Sequence, residues 1–569
     1  MKARAFVGIA SALAASAAFA VASLAASPVG DQPTPIARGA HVSGVAQASS
    51  HRPPSAGGAT ATTSTCLAPG SGNYKTNCHG TGRPVNETWI ATNGSLYAAG
   101  ANDYNSYNGQ GQDGYYWSSD AVTWNDAGPI DVFPHSTNNA AGDPGLAIDS
   151  SGIVYYSSIF FNFYNCGVGG VELLRRDPGT GAWSYYQIAA NSSAQFQDKP
   201  ALAIDGSHVY VSWTQFGSCS GAGVTSPIEV AVFPTGALST APSQILSVPG
   251  STYSQGSSLA SDGAGGFWIA WEEWASSSAA NGSIRLEHYN GSGWDSLQTI
   301  SPAGFTDLPS PLPGFAFRDN SFPALAVVGG QPYVAWTSYD TGVGRAYLWN
   351  GTTAARVSDS GGDQFFPSIA ADGSGVDVAF SMTNPAAHTY DQYLWNGSTV
   401  TKVSTASSTP SQDAFFSGQF IGDYNGLAVS GGTAHPIWTD IRGLDPSYPG
   451  YEMDAMVFSP AASAAPDFTL SASPTSRTVK QGGSTTYTVT ISPTGGFSDS
   501  VTLSATLPAG VTGSFSPNPL TVTSTSTLSV TVAANARLGT YPVTITGTSG
   551  GGLTRTTSVT LTVQKAKRH

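Results

Sequence analysis

A short segment recurs seven times along this chain of 569 residues and constrains its fold more than any other feature. Its core is a Leu-Ala or Ile-Ala pair, often preceded by Pro and followed by Asp, and an aromatic-rich stretch comes after the next turn. The pairs begin at Ile90, Leu146, Leu202, Leu259, Leu325, Ile369 and Leu427. Repetition with a period of tens of residues indicates an array of similar structural units.

Each repeat predicts an antiparallel unit of four strands. Alternating β-branched and aromatic stretches such as HVYVSWT and QPYVAWT follow the first strand, and stretches such as RAYLWNG follow these. Radial repetition of such units predicts an all-β fold with a seven-bladed β-propeller over residues 66–462. The seventh repeat ends after its third strand, so we expect its fourth strand to come from the region of Asn73 to Pro84. A β-solenoid is the alternative, although its repeats are shorter.

The composition of the chain changes after the predicted propeller. Residues 466–564 contain short Thr-, Val- and Ser-rich stretches separated by Gly and Pro turns, which predicts an immunoglobulin-like β-sandwich. Residues 565–569 form a basic tail.

The N-terminal segment predicts export. Residues 1–26 combine two early basic residues with an Ala-rich apolar run, as a signal peptide does, and residues 27–65 are typical of a flexible leader. We therefore expect a secreted protein, which could also be attached to a cell surface. We expect no membrane insertion after the signal peptide is removed. Four cysteines in an exported chain predict two disulfides, Cys66 with Cys78 and Cys166 with Cys219.

The charge balance bears on the partners. The net charge is −13, and the propeller carries most of the acidic residues, which argues against nucleic acid as a ligand. We expect an extracellular glycan or protein ligand and no cofactor. An oxygen-rich segment from Asn102 to Asp113 could bind calcium, with Asp103 and Asp113 as candidate ligands.

Propellers present functional loops on one face, near the central channel. Carboxylates and aromatic rings on this face suit sugars, because rings stack on pyranoses and paired carboxyl groups hydrolyse glycosides. The candidate catalytic residues are Glu272, Glu273 and Asp440. Arg318 and Arg442 could hold an anionic substituent, or could form ion pairs with neighbouring aspartates. Further candidate substrate-binding residues are Tyr339, Trp274, Asp143, Asp423 and His135. For the aspartates, the alternative role is to organise turns.

Several of these motifs carry a family resemblance. The segment from Ser118 to Trp124 resembles an Asp-box, and the segments GDPGLAID, DKPALAID, FIGDYNGLAV and HPIWTDIR are similar to those of secreted bacterial sialidase-like proteins. The propeller thus resembles the sialidase/neuraminidase-like (BNR/Asp-box) superfamily, and the C-terminal segment resembles bacterial Ig-like modules. The resemblance implies a triad of arginines around the substrate. Arg318 and Arg442 would be two of its members, whereas Asn86 to Thr88 stand where Arg-Ile-Pro is expected.

These observations predict a secreted propeller that acts on or binds extracellular glycans. As an enzyme it would be a sialidase-like glycoside hydrolase. A non-catalytic surface module that binds glycan or protein is one alternative, and a polysaccharide lyase with a His or Tyr base is another.

Overall fold

A computed structural model describes most of the chain from residue 64 onward. The described residues are 64–66, 72–78, 84–104, 112–130, 139–162, 165–217, 225–236, 238, 241–277, 279, 281–373, 375–443, 453–460, 467–494, 497, 499–520 and 525–566. The predicted signal peptide, most of the predicted leader and His135 lie outside these residues, as do the side chains of Cys166 and Cys219. No helix in the described ranges is long and apolar enough to span a membrane.

The described residues form strands almost throughout. Up to residue 299 the strands are β1 Ser64–Thr65, β2 Asn73–Lys75, β3 Val85–Thr92, β4 Tyr97–Asp103, β5 Gln112–Ser118, β6 Asn125–Pro129, β7 Asn139–Ile148, β8 Val154–Asn162, β9 Asn165–Arg176, β10 Trp183–Ala190, β11 Phe196–Ile204, β12 His208–Phe216, β13 Ile228–Pro234, β14 Gln244–Ser247, β15 Ser254–Ser261, β16 Phe267–Trp274, β17 Gly282–Tyr289 and β18 Gln298–Thr299.

The later strands are β19 Ala324–Val328, β20 Gln331–Ser338, β21 Arg345–Trp349, β22 Ala354–Arg356, β23 Gln364–Asp372, β24 Gly375–Asn384, β25 Thr389–Trp395, β26 Val400–Lys402, β27 Gly426–Ser430, β28 Thr433–Asp440, β29 Asp454–Phe458, β30 Asp467–Ser473, β31 Ser476–Lys480, β32 Ser484–Thr494, β33 Val501–Thr506, β34 Val511–Ser516, β35 Thr525–Val532, β36 Gly539–Ser549 and β37 Thr554–Gln564. One short 3-10 helix spans Pro410–Gln412.

The chain divides into two compact units between Ser459 and Pro460. In the described part of the first unit, β1 to β29 form seven antiparallel sheets of four or five strands. Sheets two to six each take four consecutive strands, from β7–β10 to β23–β26. The first strands β3, β7, β11, β15, β19, β23 and β27 each contact the next one, and β27 contacts β3. The first unit is therefore all-β and propeller-like, as the repeats predict.

The first and seventh sheets share the segment that precedes the first repeat. β1 pairs with β6 of the first sheet, and β2 pairs with β29 of the seventh, with Asn73 opposite Phe458. The missing strand of the seventh sheet thus comes from the region predicted for it. The last two residues of the predicted leader, Ser64 and Thr65, form β1. A disulfide joins Cys66 to Cys78 and so connects the two ends of this crossing segment.

A buried tryptophan recurs in the second strand of several sheets. Its members are Trp213, Trp271, Trp336 and Trp438, each at most 2% exposed. They pack with aliphatic residues of the adjoining sheets, and burying each ring contributes roughly 1.5–3 kcal/mol or more. The apolar contacts between sheets therefore recur with the sequence repeat.

The first strands carry a recurrent bulge near their beginning. Glu87, Asp143, Lys199, Gly256 and Phe366 have positive φ angles of 54°, 59°, 52°, 67° and 48°. Each lies where the register between first and second strands shifts. A bulge redirects side chains locally, and bulges are common beside functional sites.

The second unit contains two four-stranded sheets, with orders β30-β32-β35-β34 and β31-β37-β36-β33. β31 and β37 are parallel, and the other pairs are antiparallel. One core of aliphatic and aromatic side chains, including Phe468, Tyr487, Leu528 and Leu561, joins both sheets. Alternate residues of β35 are buried and exposed, as expected where one face of a sheet covers a core.

Candidate functional site

Five charged side chains from different parts of the ring meet in one buried group, which we call the central cluster. Its members are Glu87 of β3, Asp143 of β7, Lys199 of β11, Arg318 in the segment before β19, and Asp423 just before β27. All five are buried, and the most exposed, Arg318, is 7% exposed. The bulges of the first three sheets supply Glu87, Asp143 and Lys199.

Lys199 is the hub of this cluster. Its Nζ lies 3.4 Å from Glu87 Oε1 and 3.4 Å from Asp143 Oδ2, and it also forms an ion pair with Asp423. Arg318 holds Asp423 from the other side, because its Nε donates a hydrogen bond of 2.7 Å to Oδ1 and its Nη2 donates to Oδ2. Asp423 is thus held by two cations.

A neighbouring asparagine fixes the acidic pair Glu87 and Asp143. Asn102 Nδ2 donates to Glu87 Oε2 at 2.7 Å, and Asn102 Oδ1 accepts from the backbone N–H of Asp143 at 2.7 Å. Both carboxyl oxygens of Asp143 are buried, and the Asp143 carboxyl group shares a side-chain hydrogen bond with that of Glu87. Lys199 is the cation that forms an ion pair with Asp143, and the charges of Asp198 and Asp423 also act on it. Glu87 and Asp143 are therefore a directly hydrogen-bonded pair of carboxyl groups beside Lys199.

The environment pushes the pKa values of these carboxyl groups apart. Burial raises the pKa of Glu87 well above its ordinary value, and the Asp143 charge adds to this effect. Burial also raises the pKa of Asp143, but Lys199 opposes it, and the result is about 6. Burial acts against the charged form of Asp423 as well, yet Arg318 and Lys199 hold its pKa well below the ordinary value. The surroundings therefore favour the protonated form of Glu87 and the ionised form of Asp423.

The remaining charges follow from the same contacts. Burial alone would lower the pKa of Lys199, but Asp143, Asp423 and Glu87 raise it above its ordinary value. Aromatic rings lie beside the cations: Lys199 Nζ is 5.8 Å from the Tyr424 ring centroid, and the Arg318 guanidinium carbon is 4.8 Å from that of Phe420. The cluster thus contains carboxyl groups whose pKa values are shifted in opposite directions, Glu87 upward and Asp423 downward, which is common where side chains take part in acid–base chemistry.

Glu272 and Glu273, both predicted as catalytic, lie on β16 of the fourth sheet outside this cluster. Glu273 accepts hydrogen bonds from the backbone N–H groups of Thr252 and Tyr253, both at 3.1 Å, and from Trp271 Nε1 at 3.1 Å. Glu272 is buried beside Asp307, and burial followed by the Asp307 charge raises its pKa well above the ordinary value. The hydrogen bonds of Glu273 fix the beginning of the sheet.

Asp440, the third predicted catalytic residue, is engaged in a similar way on the seventh sheet. It accepts from Trp438 Nε1 at 2.8 Å and from Arg442 Nε at 2.6 Å. Arg442 also donates to Thr405 Oγ1 at 2.8 Å and to Asn73 Oδ1 at 3.0 Å. The alternative role of Arg442, an ion pair with Asp440, is therefore the one observed. No contact within the described ranges joins Asp440 to Glu272 or Glu273.

The structure brings together three of the predicted substrate-binding residues, namely Arg318, Asp143 and Asp423. It does not place Trp274 or Tyr339 with them. Trp274 is buried and donates from Nε1 to Asp307 Oδ2 at 2.9 Å, and the backbone N–H of Tyr339 donates to Thr306 O at 2.7 Å.

The two candidate calcium ligands do not form one site. Asp113 pairs with Asn102 and Gln112 pairs with Asp103 across β4 and β5, so Asp103 and Asp113 point to opposite faces of the first sheet. Asp103 accepts from Tyr116 Oη at 3.0 Å, and Asp113 accepts from Ser158 Oγ at 2.8 Å. The pleat separates these two carboxylates, and residues 105–111 of the segment predicted to bind calcium lie outside the described residues.

Within the described ranges, one group of three potential metal ligands lies close together, and it consists of Cys66, Cys78 and Asp126. The two sulfur atoms are bonded to each other, which removes them as metal ligands.

Sequence reasoning did not select Glu87 or Lys199 as site residues. The signal that identifies them is positional. Glu87, Asp143 and Lys199 occupy the same place in the repeat, directly before Thr88, Pro144 and Pro200. This is the position of the bulge. Three consecutive repeats carry a charged residue there, which is unusual in a chain with few charged residues.

Comparisons with known proteins give distant structural likenesses. No protein-family model matches the chain, and no curated protein matches it. An alpha-L-arabinanase of Penicillium chrysogenum is 12% identical with a TM-score of 0.34, over 70% of this chain and 98% of that one. The haemagglutinin-neuraminidase ectodomain of parainfluenza virus 5 is 6% identical with a TM-score of 0.32, over 61% and 82%. A GH43_1 enzyme of Xanthomonas citri is 13% identical with a TM-score of 0.27, over 57% and 89%. All three TM-scores are below 0.5, so no conclusion about this chain is drawn from these proteins.

Proposed function

We propose that this chain is a secreted protein whose first unit is a seven-bladed β-propeller that acts on extracellular glycans as a glycoside hydrolase. The second unit would be an immunoglobulin-like sandwich over residues 466–564 that acts as a spacer or surface contact. Export is supported by the basic and Ala-rich start of the sequence and by the disulfide between Cys66 and Cys78. The closed succession of first strands supports the seven-bladed ring.

One observation carries the enzymatic proposal: the pairing of Glu87 with Asp143. Both carboxyl groups lie 3.4 Å from Lys199 Nζ, so these oxygens are at most about 7 Å apart. Retaining glycosidases hold their two carboxyl groups roughly 5–5.5 Å apart, while inverting enzymes separate them by about 6.5–9.5 Å. This limit does not select one arrangement, and because a hydrogen bond joins the two carboxyl groups, they would have to move apart to admit a glycosidic bond.

The roles follow from the protonation states. Glu87, kept neutral by burial, would donate its proton to the glycosidic oxygen as the C–O bond breaks. Asp143 would attack the anomeric carbon after its hydrogen bond with Glu87 is broken, forming a glycosyl ester as the leaving group departs with the proton of Glu87. Water would then cleave this ester while Glu87 takes back a proton. Lys199 and the Arg318–Asp423 pair would hold both carboxyl groups in place.

The charge of the cluster favours a neutral substrate. Recognition of an anionic sugar requires several free cations, as in an arginine triad. In the described part of the cluster Arg318 is the single arginine, and Asp423 already occupies it. Arg442 is bound to Asp440 elsewhere. We therefore propose that the substrate is a neutral glycan and not a sialoside.

The test is turnover of a panel of neutral oligosaccharides and aryl glycosides by the full chain. Glu87→Gln and Asp143→Asn should each reduce kcat by at least about a thousandfold, because both steps need these groups. The exposed Asp499→Asn serves as control and should retain full activity. Hydrolysis that survives both central substitutions but fails in Glu273→Gln and Asp440→Asn would move the centre to the residues predicted from sequence.

A second candidate function is a non-catalytic glycan-binding module, and the burial of the cluster favours it. Asp143 is fully buried and Lys199 is 5% exposed, as expected for a network that fixes the ring instead of contacting a ligand. Binding of glycans without turnover in the same screen would select this alternative. A polysaccharide lyase, with a His or Tyr base, has less support: no histidine of the described chain joins the cluster, and burial raises the pKa of Tyr424, the tyrosine beside Lys199, well above its ordinary value, which disfavours it as a base.

A further inference from the structure

A cavity of about 610 Å³ lies on the fourth sheet and is separate from the central cluster. Its lining residues are Trp268, His288, Trp294, Asp295, Ser296 and Gln298. Strand β16 runs from Phe267 to Trp274, so Trp268 lies at the end of the strand away from Glu272 and Glu273. A cavity of this size is within the range of small-ligand sites, roughly 300–1,000 Å³.

The wall formed by Trp268 and His288 is fixed before any ligand binds. Their rings stack with centroids 4.4 Å apart and an interplanar angle of 21°. Two carboxylates hold the imidazole edge: Nδ1 is 2.7 Å from Asp295 Oδ2, and Nε2 is 3.0 Å from Asp262 Oδ2. The His288 ring therefore has a defined position, which reduces the entropy lost on binding.

The second aromatic wall is Trp294, and it is also held in place. Its ring packs against Tyr289 with centroids 5.3 Å apart and against Phe267 at 5.6 Å. Asn290 begins the tight turn that leads to it, because its backbone N–H donates to Gly293 O at 3.0 Å. Trp294 is only half-buried, so part of its ring remains available.

The rim of the cavity is polar. Asp295, Ser296 and Gln298 are exposed and offer a carboxylate, a hydroxyl and an amide. Aromatic walls with a few hydrogen-bonding groups match the two kinds of surface on a sugar ring, which are apolar C–H faces and hydroxyl edges. Asp262 and Asp295 are the charged carboxylates at this site, so uronates and sialic acids would be repelled.

We propose that this cavity is a non-catalytic binding site for a neutral pyranose unit of a glycan chain. It would hold a polymer on the fourth sheet whether or not the central cluster is an enzyme. The proposal does not depend on turnover, since it rests on the walls and rim of this cavity alone.

The experiment is saturation-transfer NMR on the full chain with cellobiose, maltose and lactose as probes, and with choline as a cationic probe. We expect transfer to at least one disaccharide. Trp294→Ala should weaken that binding by about tenfold or more, and Gln298→Ala should weaken it measurably without disturbing the packed rings. The matched control is Trp395→Ala, which removes a half-buried tryptophan at the end of β25. Binding should persist in Trp395→Ala.

Several outcomes would overturn the proposal. One is the absence of transfer to all three disaccharides. Another is transfer that survives both Trp294→Ala and Gln298→Ala but disappears in Glu87→Gln, because the sugar would then sit at the central cluster. Transfer to choline alone would identify a cation–π cage instead. If Trp294→Ala does not fold, the exposed Gln298→Ala decides between these results.

Discussion

Replacement of Asp198 by Asn should change how the stability of the first unit depends on pH. Asp198 is fully buried in β11, and burial raises its pKa from 3.8 to about 7, although Lys199 opposes the shift. The folded state therefore binds this proton more tightly than the unfolded state does. The destabilising contribution of Asp198 is therefore absent at low pH and grows as the pH rises from about 4 to about 7.

The magnitude follows from the size of the shift. A rise of about three pK units, at about 1.4 kcal/mol each, corresponds to about 4 kcal/mol of unfolding free energy. The asparagine side chain is uncharged throughout the pH range of the experiment, so it does not incur the free-energy cost of burying a charged group. The free energy of unfolding of Asp198→Asn minus that of the wild type should therefore increase by about 4 kcal/mol between pH 3.5 and pH 8.

Urea unfolding followed by tryptophan fluorescence measures this quantity directly. All 13 tryptophans precede residue 459, so their emission reports on the first unit alone. Asp359→Asn is the control for an exposed carboxylate, because its side chain is 74% exposed. A flat difference for Asp198→Asn would refute the reasoning, since burial would then impose no cost on this carboxylate.

Three further predictions concern the ring and its centre. Replacing both Cys66 and Cys78 by Ala, which opens a loop closed across 12 residues, should cost about 3 kcal/mol, measured by urea unfolding without reductant; an unchanged midpoint would contradict this. Asp423→Asn should cost about 3–5 kcal/mol, because it leaves two buried cations undercompensated; a stabilised variant would show that the cluster is a net burden. Gly426→Ala should cost about 1–3 kcal/mol, because its Cβ would lie 2.8 Å from Ile90 N, whereas Gly293→Ala has open space and should be neutral. Equal thermal midpoints for the two glycine variants would exclude that steric argument.

The fold was predictable because repetition marks the same strand seven times. The spacing of the Leu-Ala and Ile-Ala pairs indicates the antiparallel units, and the short seventh repeat indicates that an earlier segment completes it, as β2 does. These inferences need only local periodicity and the rule that sheet edges are covered. The bulges obscure which side chains point inward, but neither of these two inferences depends on side-chain direction.

The site was less predictable for two physical reasons. Glu273 and Asp440 each follow a buried tryptophan by two residues, so they lie on the same face of their strands and accept its indole N–H. Their carboxylates thus have a packing role that residue type alone does not reveal. Glu87 and Lys199, in contrast, reach the cluster through positive-φ bulges. A bulge interrupts the alternation from which inward and outward positions are read, and its position was not evident from the sequence.

The pairing of β2 with β29 has a consequence for the order of events during synthesis. Residues 73–75 emerge early from the ribosome, but their partners at residues 456–458 emerge after almost the whole ring. Until then the chain is an open arc with two unpaired strand edges, and such edges recruit other chains. A nascent or truncated chain that stops before β29 should therefore depend on chaperones, and completion of the seventh sheet becomes the committing step of folding.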